Sequence, residues 1–202
     1  MAAHDARCLR LIESQLIKQV FAGQLPQQDD ANEAAVVSLI AANFMTNRKL
    51  WGLEDAARAD DAGHCQIAEV KMQIDRENQN RSDQIERVDL LLSEILGVNE
   101  KTTTARFYSE SPGMIVDRLA ILNIKTSMLS EIIPLMSEGS AVRDEYSLRL
   151  EYLTEYSRKL FCFLDNYMSE IRSAKAYFMV QRPTKVYNDQ RLKLYLSNIR
   201  NA

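Results

Sequence analysis

The sequence is poor in the residue types on which most recognisable active sites depend. Its 202 residues include two histidines, three cysteines, six glycines and four prolines. His4 and His64 alone leave almost nothing for a histidine-based triad or a histidine-rich metal site. Cys8, Cys65 and Cys162 are odd in number and far apart, which fits a reducing compartment and excludes a zinc or disulfide framework. Neither a Gly-rich phosphate loop nor a Gly-x-Ser-x-Gly elbow occurs in the chain.

Long apolar runs and a strong charge bias are also lacking. No stretch approaches the ~20 apolar residues of a transmembrane helix, and residues 1–10 do not have the pattern of a secretory signal. We therefore expect a cytoplasmic protein without a membrane partner. The net charge of −3 argues against a nucleic-acid partner, because such partners usually require a basic face. With 46% hydrophobic and 26% charged residues, the chain can build an ordinary core as one domain, 1–202.

What the chain does have is apolar residues at helical spacing, which predicts an all-α fold. We expect an antiparallel bundle of about five helices, at 5–22, 31–59, 66–96, 112–137 and 141–180. Gly97 is expected to end the third helix, and Ser111-Pro112 to begin the fourth, with a loop over 99–109. Residues 1–30 would form an N-terminal helix and loop, 31–182 the core of the bundle, and 183–202 an extension that folds back.

The last long helix has apolar residues in alternating steps of four and three, from Tyr146 to Phe178. This 3.5-residue period is the coiled-coil pattern and predicts nearly parallel packing against neighbouring helices. An exposed apolar edge on this helix would suit a partner or a second copy of the chain. A helical scaffold or a homodimer is therefore one hypothesis for function.

Two of the predicted helices become polar on the side that should face the core. In the third helix, the apolar line from Ile67 to Ile95 passes through Asn78 and Arg81. In the second helix, the line that starts at Val36 continues through four further positions, Asn47, Trp51, Glu54 and Arg58. Burying such groups costs several kcal/mol unless partners satisfy them. The two polar stretches therefore indicate where a site would be.

A pocket for a small anionic ligand is the second hypothesis. If the second, third and fourth helices pack together, four basic residues can converge inside the bundle: Arg58, Arg81, Arg118 and Lys125. Guanidinium groups suit phosphate and carboxylate, and the helix start at Ser111-Pro112 could add backbone N–H groups. Three polar residues would orient the basic ones: Glu54, Asp75 and Asn78. The structural alternatives are polar pairs that fix helix register, or a polar stretch that projects into water.

A carboxylate enzyme is the third hypothesis. Some all-helical nucleotide pyrophosphohydrolases bind Mg²⁺ through two acidic pairs at i, i+3 spacing, because such pairs share a helix face. Glu86 and Asp89 have this spacing. Glu54 and Asp55 are adjacent, which places them about 100° apart around a helix and breaks the pattern. A Mg²⁺-dependent phosphohydrolase or transferase thus stays open, with Mg²⁺ as its cofactor and Glu86 and Asp89 as the only metal candidates.

Four blocks of sequence resemble a bacterial family known as domain of unknown function 4254. The blocks are Leu50–Arg58; Lys71–Asp75 with Asn78–Asp83 and Ile85-Glu86; Glu110–Gly113 with Val116–Leu122 and Lys125; and Val186–Asp189. The resemblance implies an intracellular all-helical protein of about this length, with no established reaction, cofactor or partner. It leads us to expect histidine at Gly52 and Met128, and proline at Gln190, so the chain departs from the pattern at these three positions.

The resemblance also bears on the choice between a pocket and a purely structural network. Its motif residues coincide with the polar groups that stand out on the two helices, which favours a shared pocket. The fourth block would fold back and help to close it. The candidate ligand-binding residues are Trp51, Glu54, Asp55, Arg58, Asp75, Asn78, Arg81, Asp117, Arg118, Lys125, Tyr187, Asn188 and Asp189.

Overall fold

A computed structural model describes residues 30–59, 63–98, 104–182, 190–192 and 195. The all-α class is confirmed, since four long helices make up most of the described chain. They are α1, Asp30–Ala57; α2, His64–Ile95; α3, Pro112–Ile132; and α4, Ala141–Arg172. The expected first helix at 5–22 and most of the C-terminal extension lie outside the described residues. None of the helices in the described ranges combines the length and the apolar character that a membrane crossing requires.

Helix boundaries follow local sequence signals at three of the predicted positions. The Ser111 hydroxyl accepts a hydrogen bond from the Met114 N–H at 3.3 Å, and Pro112 occupies the first turn, as predicted. Ser140 caps α4 in the same way through the Arg143 N–H. Gly97 follows α2 with a φ of 61°, the left-handed conformation expected of a C-terminal glycine. The helix α3 ends at Ile132, and Pro134 lies in a short 3-10 helix, Ile133–Leu135.

Two expectations about the connections were wrong. The last helix ends at Arg172 instead of continuing to 180, because Ala174 adopts a φ of 54° that no α-helix accommodates. Two short strands, β1 (Arg106–Phe107) and β2 (Ala176–Tyr177), then pair in parallel. Part of the expected 99–109 loop is therefore a strand. A short 3-10 helix, Gln190–Leu192, follows near the C-terminus.

The main hydrophobic core is centred on α3, which is apolar nearly all round and packs against the other three helices. It contributes six buried apolar side chains: Ile115, Val116, Leu119, Ala120, Leu122 and Ile124. A smaller cluster of Leu50, Val70 and Ile74 lies between α1 and α2, apart from this core. Along α2, Asn78 and Arg81 lie between Ile74 of the smaller cluster and Val88 of the main core, and this arrangement positions the site.

Candidate functional site

A cavity of about 260 Å³ opens between α1, α2 and α3. All three helices contribute to its wall, and most of the side chains are polar or charged. The lining residues are Asn47, Leu50, Trp51, Glu54, Asp55 and Arg58 from α1, Asn78 and Arg81 from α2, and Ile121 and Lys125 from α3. Seven of the predicted ligand-binding residues thus lie around one space. The polar stretches of α1 and α2 face each other across it rather than projecting separately into water.

The inner side of the cavity is built on a network of amides around Asp117. The Asn43 and Asn47 side-chain amides both donate to Asp117 Oδ1, at 3.0 and 2.8 Å. The Asn47 amide also donates to Asn43 Oδ1 at 3.1 Å. Both asparagines are buried, at 2% and 5% exposure. Buried polar groups of this kind stay rigid when they are hydrogen-bonded to one another, so the network fixes the position of the Asp117 carboxylate.

Arg81 lies beside this network, but its Nε forms no hydrogen bond to Asp117. Its Nε is 3.9 Å from Asp117 Oδ1, which is too long for a hydrogen bond. The Nε atom is buried and has no hydrogen-bond partner in the described part of the protein. The side chain as a whole is 33% exposed, and it reaches the cavity wall. Because the Nε atom is closed to solvent, the part of Arg81 that a ligand can reach is the rest of its guanidinium group at the cavity wall.

The rim of the cavity carries both signs of charge. Glu54 and Arg58 form an ion pair of 2.9 Å along one face of α1, with side chains 46% and 69% exposed. Such an exposed i, i+4 pair contributes only about 0.3–0.5 kcal/mol, so little opposes its rearrangement. Asp55 and Lys125 are also exposed. Three cations and two carboxylates therefore line the space, and the innermost charged group among them is Arg81.

A second cavity of about 440 Å³ adjoins the first and shares Trp51 and Asp55 with it. Its other lining residues are Met45, Arg48, Lys49, Gly52 and Met128. Arg48 Nη1 lies 3.5 Å from the Met128 sulfur. A Cβ placed on Gly52 would meet no atom within 4 Å, so this position has room for a side chain. Both positions at which the resemblance implies histidine thus border the same space.

The sequence pattern of one protein family, described as "Protein of unknown function (DUF4254)", matches residues 37–180. The chain belongs to the DUF4254 family. Neither a curated protein nor a solved structure matches the chain. The family match runs from the first turns of α1 to the residues after β2, and thus includes every described residue that lines the two cavities.

Three of the predicted ligand-binding residues of this DUF4254 protein are not part of the cavity lining: Asp117, which is held by Asn43 and Asn47, Arg118 and Asp75. Arg118 turns away and forms a two-pronged ion pair with Glu110, through Nη1 at 3.2 Å and a second contact from Nη2. Hydrogen bonding to Glu110 raises the pKa of Arg118 above its ordinary value. Asp75 is exposed on α2 outside the cavity lining. The predicted convergence of Arg118 and Lys125 on one cavity was wrong, because Arg118 is paired with Glu110 and only Lys125 lines the cavity.

The two metal candidates also lie apart from the cavity. Asp89 is fully buried and accepts hydrogen bonds from Ser111 Oγ at 2.5 Å and from the Gly113 N–H at 2.7 Å. Burial raises the pKa of Asp89 to about 6. The Gly113 N–H at the start of α3 is therefore taken by Asp89 and is not free for a ligand anion as expected. Glu86 Oε1 lies 3.9 Å from Arg182 Nε. Within the described ranges, no group of three His, Cys, Asp or Glu residues could hold a metal ion.

The remaining candidates, Tyr187, Asn188 and Asp189, lie outside the described residues. Sequence reasoning also missed several contributors to the site. Asn43 lies one helical turn before Asn47, and that i, i+4 spacing of two amides was a readable signal. Glu77 is nearly buried and accepts hydrogen bonds from Lys49 at 2.6 Å and from Asn80, which lower its pKa. It joins α1 to α2 beside the cavities. Ile121 gave no signal beyond its apolar character.

Proposed function

We propose that the cavity of about 260 Å³ binds a small anion that carries a phosphate or carboxylate group. The observation that carries this function is the partly exposed guanidinium of Arg81 at the cavity wall, whose Nε lies 3.9 Å from Asp117 Oδ1, too far for a hydrogen bond. Leaving a guanidinium nitrogen unsatisfied is costly, and a protein that retains it does so at the expense of stability. An oxyanion in the cavity would accept hydrogen bonds from the exposed N–H groups of this guanidinium.

The neighbouring charges support an anionic ligand over a cation. Asp117 would be the natural counter-ion of Arg81, but Asn43 and Asn47 already occupy its Oδ1 atom. Arg58 and Lys125 stand at the rim of the same space. Guanidinium groups bind phosphate and carboxylate through paired N–H donors, whereas the ammonium of Lys125 would act as a mobile point charge.

The size of the space bears on the size of the ligand. Pockets for drug-sized ligands usually occupy about 300–1,000 Å³, so the inner cavity suits an anionic group rather than a large molecule. The adjoining cavity of about 440 Å³ would receive the rest of the ligand beside Trp51. Trp51 lines both spaces, and its indole offers a flat face to a ring or an apolar segment.

Calorimetric titration with inorganic phosphate and with succinate, at constant ionic strength, tests this function. We expect binding to the wild-type protein, and a loss of about 1.5–3 kcal/mol in Arg81→Gln, which corresponds to roughly 10- to 100-fold weaker binding. The matched control is Arg87→Gln, since Arg87 is an exposed arginine of the same helix. It removes the same charge from α2 without touching the cavity.

Two outcomes would overturn the proposal. One is the absence of binding of both anions to the wild-type protein. The other is an equal loss of affinity in Arg81→Gln and Arg87→Gln, which would indicate a general effect of net charge. Urea unfolding of each variant shows whether it is folded before titration, so a failure to fold is not read as a failure to bind.

A further inference from the structure

One side of α4 exposes a row of large apolar side chains. Leu148 is 66% exposed, Tyr152 70%, Tyr156 37% and Phe163 39%. Their positions fall within about 80° around the helix axis, at 100° per residue, so they form one continuous surface, called the α4 face below. The side chains by which α4 joins the core, such as Leu164 and Ile171, lie on a different side of the helix. Clustered apolar exposure of this kind marks an interaction surface.

The charged residues of the α4 face are arranged symmetrically about Tyr152. Glu145 lies seven residues before it and Lys159 seven residues after it, and both lie within about 20° of the Tyr152 direction. Leu148 and Tyr156 lie four residues before and after. Further out, Ala141 and Phe163 are eleven residues away on either side. Each residue of the face thus has a counterpart at the same distance along the helix on the other side of Tyr152. Glu145 and Lys159 have opposite charges, and Ala141 is small where Phe163 is large.

This symmetry determines which partner fits. We propose that the α4 face binds a second copy of this chain, with two α4 helices antiparallel around a twofold axis at Tyr152. In that arrangement, a residue before Tyr152 lies level with its counterpart in the other copy. Glu145 then meets Lys159, Leu148 meets Tyr156, and the two Tyr152 rings face each other. The interface is isologous, as in most homodimers.

A parallel pair of the same helices is disfavoured by charge. It would place Glu145 level with Glu145 and Lys159 level with Lys159, and like charges at an interface oppose association. Within α4, Glu145 already pairs with Arg149 at 2.5 Å, and Lys159 pairs with Glu155 at 3.6 Å. In the antiparallel dimer, contact between Glu145 and Lys159 would join these pairs into one network. The surface also lies on α4 away from the cavity lining, so this dimer is independent of anion binding.

Sedimentation equilibrium of the full chain tests the dimer. We expect the wild type to approach twice the chain mass of 23.1 kDa as its concentration rises, and Tyr152→Glu to stay at that mass because it places two carboxylates together at the axis. Glu145→Lys and Lys159→Glu, each alone, should raise the dissociation constant by about tenfold or more. The double variant Glu145→Lys with Lys159→Glu should restore it. Glu151→Lys, an exposed substitution off the face, is the control.

Only the antiparallel dimer predicts that the double variant restores the dissociation constant. Any other partner on the α4 face would not show this rescue. A wild-type monomer at concentrations up to about 100 µM overturns the dimer, whether the face is free or covered by another segment of the same chain. A dimer that Tyr152→Glu does not weaken lies elsewhere on the surface. A dimer weakened by both single charge variants and not restored by the double variant excludes the antiparallel pairing. All the substituted side chains are exposed, so the fold is kept in each variant.

Discussion

At the scale of single residues, Asp89 combines complete burial with neutral partners. Its carboxylate contacts the hydroxyl of Ser111 and the N–H of Gly113, and neither of these carries a charge. The spacing is tight, since a Cβ on Gly113 would come within 2.7 Å of Asp89 Oδ1 and 2.8 Å of the Ile85 carbonyl oxygen. Glycine at 113 is therefore what allows α2 and α3 to approach so closely around this carboxyl group.

The raised pKa of Asp89 predicts a pH-dependent stability. In the unfolded chain this group titrates near 3.8, and in the folded protein at about 6. Well below pH 3.8 the Asp89 carboxyl group is protonated in both states. Between about pH 4 and 6 the unfolded state ionises first, so the free energy of unfolding falls as the pH rises through this window. The loss is about 3 kcal/mol for a shift of roughly two pKa units, and it persists above pH 6.

Asp89→Asn isolates this contribution, because the amide oxygen can accept from the Gly113 N–H, the amide NH₂ can donate to the Ser111 hydroxyl, and the group does not titrate. Urea unfolding of both proteins from pH 4 to pH 7.5 gives the difference in their free energies of unfolding. We expect the wild type to lose stability relative to Asp89→Asn between about pH 4 and 6. Parallel curves across this range would show that the carboxyl group is ionised in the folded protein without penalty.

At the scale of helices, α2 and α4 end in the same way with different residues. After α2, the Val98 N–H bonds to the Ser93 carbonyl at 2.9 Å and Gly97 is left-handed. After α4, the Lys175 N–H bonds to the Glu170 carbonyl at 2.9 Å and Ala174 takes the left-handed position. Both are Schellman motifs. The first was predictable because glycine signals it, and the second was not because alanine has no preference for that conformation.

Opposite substitutions at these two positions should change stability in opposite directions. Ala174→Gly relieves a left-handed alanine and should raise the free energy of unfolding by about 0.5–1 kcal/mol. Gly97→Ala introduces the same strain and should lower it by about 1 kcal/mol. Urea unfolding measures both. Equal signs for the two variants would mean that the unfolded chain, rather than the helix end, decides the effect.

The strands β1 and β2 show another limit of sequence reasoning. Each has two residues, which is too short for an alternating apolar pattern to be recognised. Their pairing depends on the turn at Ala174, which brings Ala176 beside Arg106. The unpredicted turn at Ala174 therefore explains both errors, the predicted end of α4 and the predicted loop over 99–109.

At the scale of the whole molecule, the position of the cavity was predictable and its detailed charge arrangement was not. The period of the polar stripes on α1 and α2 places Trp51, Glu54 and Arg81 on facing sides, and the structure has them around one space. Which basic group of α3 joins them depends on competing acids from elsewhere in the chain. Arg118 pairs with Glu110, so only Lys125 of α3 contributes a cation to the cavity.

The two hydrophobic clusters predict uneven protection across α2. Its C-terminal half packs on the large core through Val88 and Leu92, whereas its N-terminal half contributes Val70 and Ile74 to the small cluster. Segments with less buried apolar surface open at lower free energy. In hydrogen–deuterium exchange, we expect amides of residues 66–76 to exchange faster than those of 85–95, and phosphate to slow the first group more. Equal protection in both halves would contradict this division.

The wall shared by the two cavities has a practical consequence. Trp51 is the single tryptophan of the 202 residues, and it lines both spaces. Indole emission responds to the polarity around the ring, so light that excites tryptophan and not the eight tyrosines reports from the boundary between the two cavities. A ligand in either compartment can thus be followed by light without any label.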